Sequence, residues 1–222
     1  MTFSIAARCT RTGRFGIAIS SSSPAVAARC AHVRPGIGAA CSQNITDPRL
    51  GPAALDLMAL GIPPETALER LADSREHIDF RQLTAIGAEG PAAFFSGARV
   101  LNTHAAALGQ DCVAAGNMLA DPGVPAAMVS AFEHADGELG TRLIAALSAG
   151  LAAGGEVGPV RSAGLLVAAD AAWPETDLRV DWDEAEPVAR LAAIWEIWAP
   201  QAADYVTRAL DPAAAPVFKE MI

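Results

Sequence analysis

Apolar and polar positions alternate with period two in "TFSIAARC" (residues 2–9) and again in "FGIAISSSS" (15–23). The glycine-bearing "TRTGR" between them completes the pattern of an antiparallel hairpin. "GIGAACSQN" (36–44) is a third strand, entered through a Pro35-Gly36 turn. The period then changes. "DPRLGPAALDLMALG" places apolar residues at helical spacing and stops at Gly61, and "IPPETALERLADS" restarts a helix behind prolines. Two strands follow, "DFRQLTAIGA" and "PAAFFSG", joined by a turn at Glu89-Gly90, with a shorter one in "DCVAAGN". A second helical pair, "DPGVPAAMVSAFEHA" and "ELGTRLIAALSAGLAAGG", leads to the strands "RSAGLLVAAD" and "TDLRVDW". A long helix over 186–210, interrupted at Pro200, closes the pattern.

Strands, helix pair, strands, helix pair, strands, helix is an α+β order. It fits two packed antiparallel sheets with helical layers outside, and argues against a doubly wound parallel sheet. No Ser- or Gly-rich linker interrupts the 222 residues, so one domain is expected over 1–222, with 186–222 a C-terminal helical extension. Its aromatic stretch "LAAIWEIWAPQAADYV" could cap the core or mediate a dimer, which leaves self-association open.

Composition narrows the partners. A hydrophobic share of 52% with 18% charged residues describes a globular chain, and a formal charge of −9 argues against nucleic acid. The longest uncharged apolar stretch, "LIAALSAGLAAGG", is too short to cross a bilayer, and with no basic-then-apolar leader ahead of "TFSIAAR" export is not expected. A cytoplasmic protein with a small-molecule substrate, no nucleic acid and no membrane is the expectation. The four cysteines (Cys9, Cys30, Cys41, Cys112) lack a framework spacing and read as reduced, buried, small hydrophobes.

Most catalytic signatures are missing. There is no phosphate-binding loop, no G-x-S-x-G elbow and no H-E-x-x-H; "PGIGAAC" lacks the third glycine of a dinucleotide turn. "CAH" at 30–32 has too few neighbours for zinc, and His77, His104 and His134 stand alone, so neither metal nor cofactor is expected. The single lysine is Lys219, near the C-terminus, so a catalytic lysine in the body of the fold is not expected. What remains is Thr2. Initiator methionine is removed ahead of a small residue, and the mature chain would then begin with a threonine carrying a hydroxyl and a free amine. With a pKa near ~8, that amine can serve as the base that a threonine hydroxyl needs. The ordinary alternative is that Thr2 simply opens a strand.

Other polar residues interrupt apolar segments: Ser21 at the end of the second strand, Gln43 and Asn44 closing the third, and Asn117 in "AAGNMLA". Arg161 and Ser162 open "RSAGLLV", and Asp177, Arg179 and Asp181 punctuate "DLRVD". Each also has an ordinary reading as a turn cap, a solvated strand face or an ion pair. A Cys112 nucleophile paired with His104 is a weaker possibility.

Taken in order, "TFSIAAR", "GIAISSS", "AVAARCAHVRPGIGAACSQN", "DPRLGPAALDLMALG", "FRQLTAIG", "AAGNMLA", "AGGE", "RSAGLLV" and "DLRVD" resemble the bacterial and archaeal family catalogued as domain of unknown function 1028. That family is assigned to the N-terminal-nucleophile (Ntn) hydrolase-like superfamily. The resemblance spans Thr2 to about Asp181 and implies a four-layer αββα sandwich. It also implies amide hydrolysis with Thr2 as nucleophile, and Asn117 or the Gly116 amide holding the oxyanion. Ser21, Gln43, Asn44 and Ser162 would line the substrate site, and Arg161 would hold a substrate carboxylate. Proteasome-type subunits place an acid after the second strand and a lysine on the next; this chain has Ser21 and Ser22 in the first region and Gln43 in the second. The competing expectation is a non-catalytic binding or assembly protein on the same fold, ligating an anionic metabolite. Ser21, Gln43, Asn117 and Arg161 are expected to converge within a side chain's reach of Thr2, and the intact mass, lighter by one methionine for the enzyme, separates the two readings.

Overall fold

The computed structural model describes residues 1–216. Positions 217–222, which include Lys219 and the end of the expected extension, lie outside the described residues.

β1 (Thr2–Cys9) and β2 (Arg14–Ser21) form the expected hairpin, with Phe3 opposite Ser20 and Cys9 opposite Arg14. β1 is an inner strand. Its other edge pairs with β8 (Cys112–Asn117), which pairs in turn with β7 (His104–Gly109). Beyond β2 lie β9 (Ser162–Ala168) and β10 (Thr176–Val180), giving the antiparallel order β10-β9-β2-β1-β8-β7. The second sheet, also antiparallel, runs β3 (Ala31–Arg34), β4 (Gly38–Asn44), β5 (Arg81–Gly87) and β6 (Ala93–Ser96).

Alternation in β1 decides the layering. Phe3, Ile5 and Ala7 pack against α4 (Val124–His134) and α5 (Leu139–Ala152), in a core that includes Phe132, Leu143 and Leu147. Thr2, Ser4 and Ala6 point the other way, into the space between the sheets, where Ile17, Ile19, Cys41 and Ile86 also lie. On the outer face of the second sheet, α2 (Leu50–Ala59) and α3 (Pro64–Ser74) bury Leu50, Leu55, Leu68 and Leu71. The architecture is a four-layer αββα sandwich, α+β in class.

Two segments depart from the sequence expectation. The third strand starts at Gly38, and ahead of it lie a short helix, α1 (Val26–Cys30), and β3. α1 wedges between the sheets at one end: an added Cβ on Gly164 would come within 2.3 Å of the Ala27 Cβ. β7, "HAAALG", was not anticipated because alanine favours helix intrinsically; pairing with β8 overrides that preference.

At the C-terminal end, α6 (Pro187–Trp198) gives way to a 3₁₀ turn over Ala199–Gln201 and then α7 (Ala202–Leu210), a break placed at Pro200. α6 sinks Val188, Leu191 and Trp195 into the same core as α5, so it is built into the first helical layer. Its Trp198 stacks on Tyr205 of α7 at 5.0 Å.

Candidate functional site

Strand register brings polar residues from distant segments into one row. Asn117 stands opposite Thr2 on β1, and Ser21 stands opposite Ser162 on β9. The Thr2 and Ser21 hydroxyls are 3.3 Å apart and link the two pairs. Thr2, Ser21, Ser162 and Asn117 are all buried.

The Met1 carbonyl is the focus of this row. The Thr2 hydroxyl lies 2.5 Å from it, and the Ser21 hydroxyl also donates to it. Behind Ser21 a chain of donors builds up. Arg29 donates to the Ser23 hydroxyl at 2.6 Å, and the Ser23 and Ser21 hydroxyls are 2.8 Å apart. Because Ser23 already accepts from a guanidinium, its own proton is free for Ser21, and Ser21's for the carbonyl. Such a charge-assisted chain makes Ser21 a stronger donor than a lone serine. Arg29 is aimed by the carbonyls of Pro24 and Ala25. Ala25 holds φ at +50°, an uncommon conformation for a residue with a side chain.

A second network lies deeper between the sheets. Ser4 donates to Gln43 Oε1 at 2.8 Å, Gln43 Nε2 to Gln82 Oε1 at 2.8 Å, and Gln82 Nε2 to the Gly116 carbonyl at 3.1 Å. The Gly116 carbonyl can only accept, so it fixes the direction of every amide in the chain. Asn117 must then donate through Nδ2 to Gln82 Oε1, at 3.2 Å. Its Oδ1 is buried with no partner. The group that Asn117 leaves open is an acceptor.

The other acceptor at this end is Glu156, which sequence reasoning missed. After α5 the chain reverses through Gly154 and Gly155, both at positive φ, and Glu156 pairs with Leu119 just beyond β8. Bonds from Ala120 N to Gly155 O and from Val157 N to Met118 O pin the segment. The Glu156 residue is 3% exposed, and neither carboxylate oxygen completes a hydrogen bond. Burial pushes its pKa up to about 7, against the opposing pull of the N-terminal ammonium and of Ser22. The available signal was "AGGE", two glycines that permit a reversal followed by an acid.

The remaining expected residues divide. Gln43 reaches the row through Ser4 and Gln82. Ser162 spends its hydroxyl on the Ser23 carbonyl at 2.7 Å and accepts from Val26 N, bracing the start of α1. Gly116 sits inside the sheet between Phe3 and Ala105. Asn44, at φ +75°, donates to the Phe80 carbonyl and accepts from Leu101 N, a loop tie. Arg161 does not converge: its guanidinium donates to the Glu184 carbonyl, while its backbone N–H bonds Ser21 O. Cys112 and His104 lie at opposite ends of the β7–β8 hairpin, opposite Gly109 and Asn117 respectively, and burial pushes the Cys112 thiol up to about 12. That pairing is ruled out by geometry.

A cavity of about 470 Å³, lined by Ile37, Met58, Ile62 and Pro64, lies beside Gly87 at the far end of the sandwich. Arg8 bonds the Gly87 carbonyl there, six residues along β1 from Thr2, roughly 20 Å at strand spacing. Among the described residues no group of three His, Cys, Asp or Glu is placed to hold a metal ion, and no helix is long and apolar enough to cross a membrane.

The family model described as "Family of unknown function (DUF1028)" matches residues 2–191. The crystal structure of protein SPO2555 from Silicibacter pomeroyi, assigned to the same family, is 30% identical and superposes with a TM-score of 0.85, covering 92% of this chain and 89% of that one. Anbu, the ancestral beta-subunit from Yersinia bercovieri, aligns over 98% of this chain and 99% of its own at 12% identity and a TM-score of 0.39, too loose a likeness to carry an argument. No match was found among curated proteins.

Proposed function

The chain belongs to the DUF1028 family, and for it we propose an N-terminal-nucleophile amidohydrolase that cleaves a small amide, ureide or short peptide. The observation that carries this reading is the Met1 carbonyl, held against the Thr2 hydroxyl by Ser21 with Ser23 and Arg29 behind it. Once Met1 is removed, the same hydroxyls face an empty acyl position.

In the proposed reaction the Thr2 Oγ1 attacks the substrate carbonyl carbon while the Thr2 amine takes the hydroxyl proton. The carbonyl π electrons move onto oxygen, and the Ser21 O–H donates to the resulting oxyanion. The ammonium returns the proton to the leaving nitrogen, the C–N bond breaks, and an ester remains on Oγ1. Water, deprotonated by the same amine, attacks that ester; the C–Oγ1 bond breaks, the ammonium returns the proton to Oγ1, and the acid is released. Asn117 Oδ1, an acceptor, suits orientation of the amine; Ser21 takes the oxyanion role that the sequence reading gave to Asn117 or Gly116. Gln43 and Gln82 keep Asn117 in place.

Two measurements test this. Protein from its native host should have an intact mass lighter by one methionine. A β-lactone electrophile, whose ring opens onto a hydroxyl, should then leave a single ester on the N-terminal peptide at Thr2. A uniformly retained Met1, or an adduct elsewhere that survives Thr2→Ala, overturns the proposal.

A further inference from the structure

We infer that the site is built for substrates with a primary ammonium on the carbon next to the scissile carbonyl, meaning amino-acid amides or short peptides with a free N-terminus, and that Glu156 reads this ammonium. The inference rests on the Thr2 reading and deepens it. Met1 is itself an α-aminoacyl unit seated in the site. Its carbonyl lies at the Thr2 and Ser21 hydroxyls, and its ammonium acts on the Glu156 carboxylate. A substrate acyl group placed where Met1 now stands brings its own α-substituent to Glu156.

The chemistry of the pocket selects that substituent. Glu156 is buried and neither carboxylate oxygen completes a hydrogen bond, with Ser22 and the N-terminal ammonium the groups that pull on it. Buried acceptors are costly to leave open, and a carboxylate more so than an amide. Neither Arg29, engaged by Ser23 and two backbone carbonyls, nor Arg161, engaged by the Glu184 carbonyl, supplies Glu156 with a charge. The chain's own ammonium is the positive charge that acts on Glu156 among the described residues, and it leaves with Met1. An incoming ammonium restores the charge and supplies three N–H donors. An N-acylated substrate brings one neutral N–H and a carbonyl oxygen that faces the carboxylate. The Thr2 amine exposed by maturation is the competing occupant, and in the proposed reaction it serves as the base for the Thr2 hydroxyl.

The test uses the chain beginning at Thr2, released from a cleavable fusion, at pH 7.5. Turnover is compared for methionine p-nitroanilide and its N-acetyl form, and calorimetric affinity for methioninamide and N-acetylmethioninamide. The free-ammonium member of each pair should be favoured by about tenfold or more. In Glu156→Gln the preference should fall to about twofold or less. The wild-type comparison needs no variant, so misfolding of Glu156→Gln does not hide the answer. Turnover without preference, or a preference that persists in Glu156→Gln, overturns the inference and leaves Thr2 catalysis standing. Selective binding without turnover upholds the ammonium site and removes the nucleophile. Absence of both binding and turnover overturns the inference too.

Discussion

The hydroxyls of Thr2 and Ser21 stand 3.3 Å apart on adjacent strands, and both face the carbonyl of Met1. Thr2 cannot shift along β1 without shifting Phe3 and Ile5, which are fully buried against the helices. Ser21 is tied through its own carbonyl to Arg161 N and through its hydroxyl to Ser23. The proposed nucleophile and its proposed oxyanion donor are thus fixed to each other by sheet register, as a rigid scaffold would hold a site.

Glu156 should cost the fold stability at high pH. A carboxyl raised to about 7 in the native chain and near 4.5 when unfolded binds more protons in the native state between those values. Its favourable contribution is therefore present below about pH 4.5 and is lost as pH rises through 7. In the chain that keeps Met1, Glu156→Gln should raise the Tm at pH 8 and change it little at pH 5. A Tm difference that does not vary with pH would contradict this.

Gln82 should be the keystone of the inter-sheet network. Gln82→Leu roughly preserves volume but leaves Gln43 Nε2, Asn117 Nδ2 and the Gly116 carbonyl without the partner they now share. The expected loss is roughly 3 kcal/mol or more, read from urea denaturation. A loss below about 1 kcal/mol would mean that water substitutes for the amide.

The wedge of α1 depends on a missing side chain. Gly164→Ala puts a methyl into Ala27 at 2.3 Å and should cost about 1–3 kcal/mol. Adding Ala27→Gly should recover part of the loss, and a double-mutant cycle measures the coupling. Strict additivity would show that α1 does not sit on β9 as described.

Cys9 should be the thiol that reacts. Although burial opposes it, the Thr12 hydroxyl and amide, the Arg11 amide and the Arg11 charge bring its pKa below the usual value. Burial drives Cys30, Cys41 and Cys112 upward. Iodoacetamide at pH 7.5 should modify Cys9 first, and Thr2 acylation should proceed unchanged. Loss of acylation in step with Cys9 alkylation would contradict the account.

Where burial on one face imposes a period, the sequence was readable. "TFSIAARC" gave the hairpin, and the amphipathic "ETALERLA" gave α3. Alanine-rich segments were opaque: "HAAALG" and "AVAARCAHVR" carry little periodicity, and strand pairing settles their form. Ser21 and Asn117 stood out because polar atoms interrupt apolar runs, and Thr2 because it follows a removable initiator methionine. Gln82 did not, since alternation in "FRQLTAIG" suits a solvated face as well as one covered by another sheet. Glu156 was hidden for a related reason: an acid after two glycines at a helix end reads as a surface residue until the reversal pairs it with Leu119 just beyond β8. Arg161 shows the converse, a conspicuous charge that serves a local backbone carbonyl.

The central claim is that Thr2 acts through its own amine, and the rate of β-lactone acylation at Thr2 tests it most directly. Three chains are compared: one beginning at Thr2, the same chain behind a non-cleavable Gly-Ser extension, and Thr2→Ser at the N-terminus. The free Thr2 chain should be acylated, Thr2→Ser should keep part of the rate because hydroxyl and amine both remain, and the extended chain should not react although every side chain is present. An extended chain acylated as fast as the free one would show that the amine is not the base, and Thr2 would be only the first residue of β1.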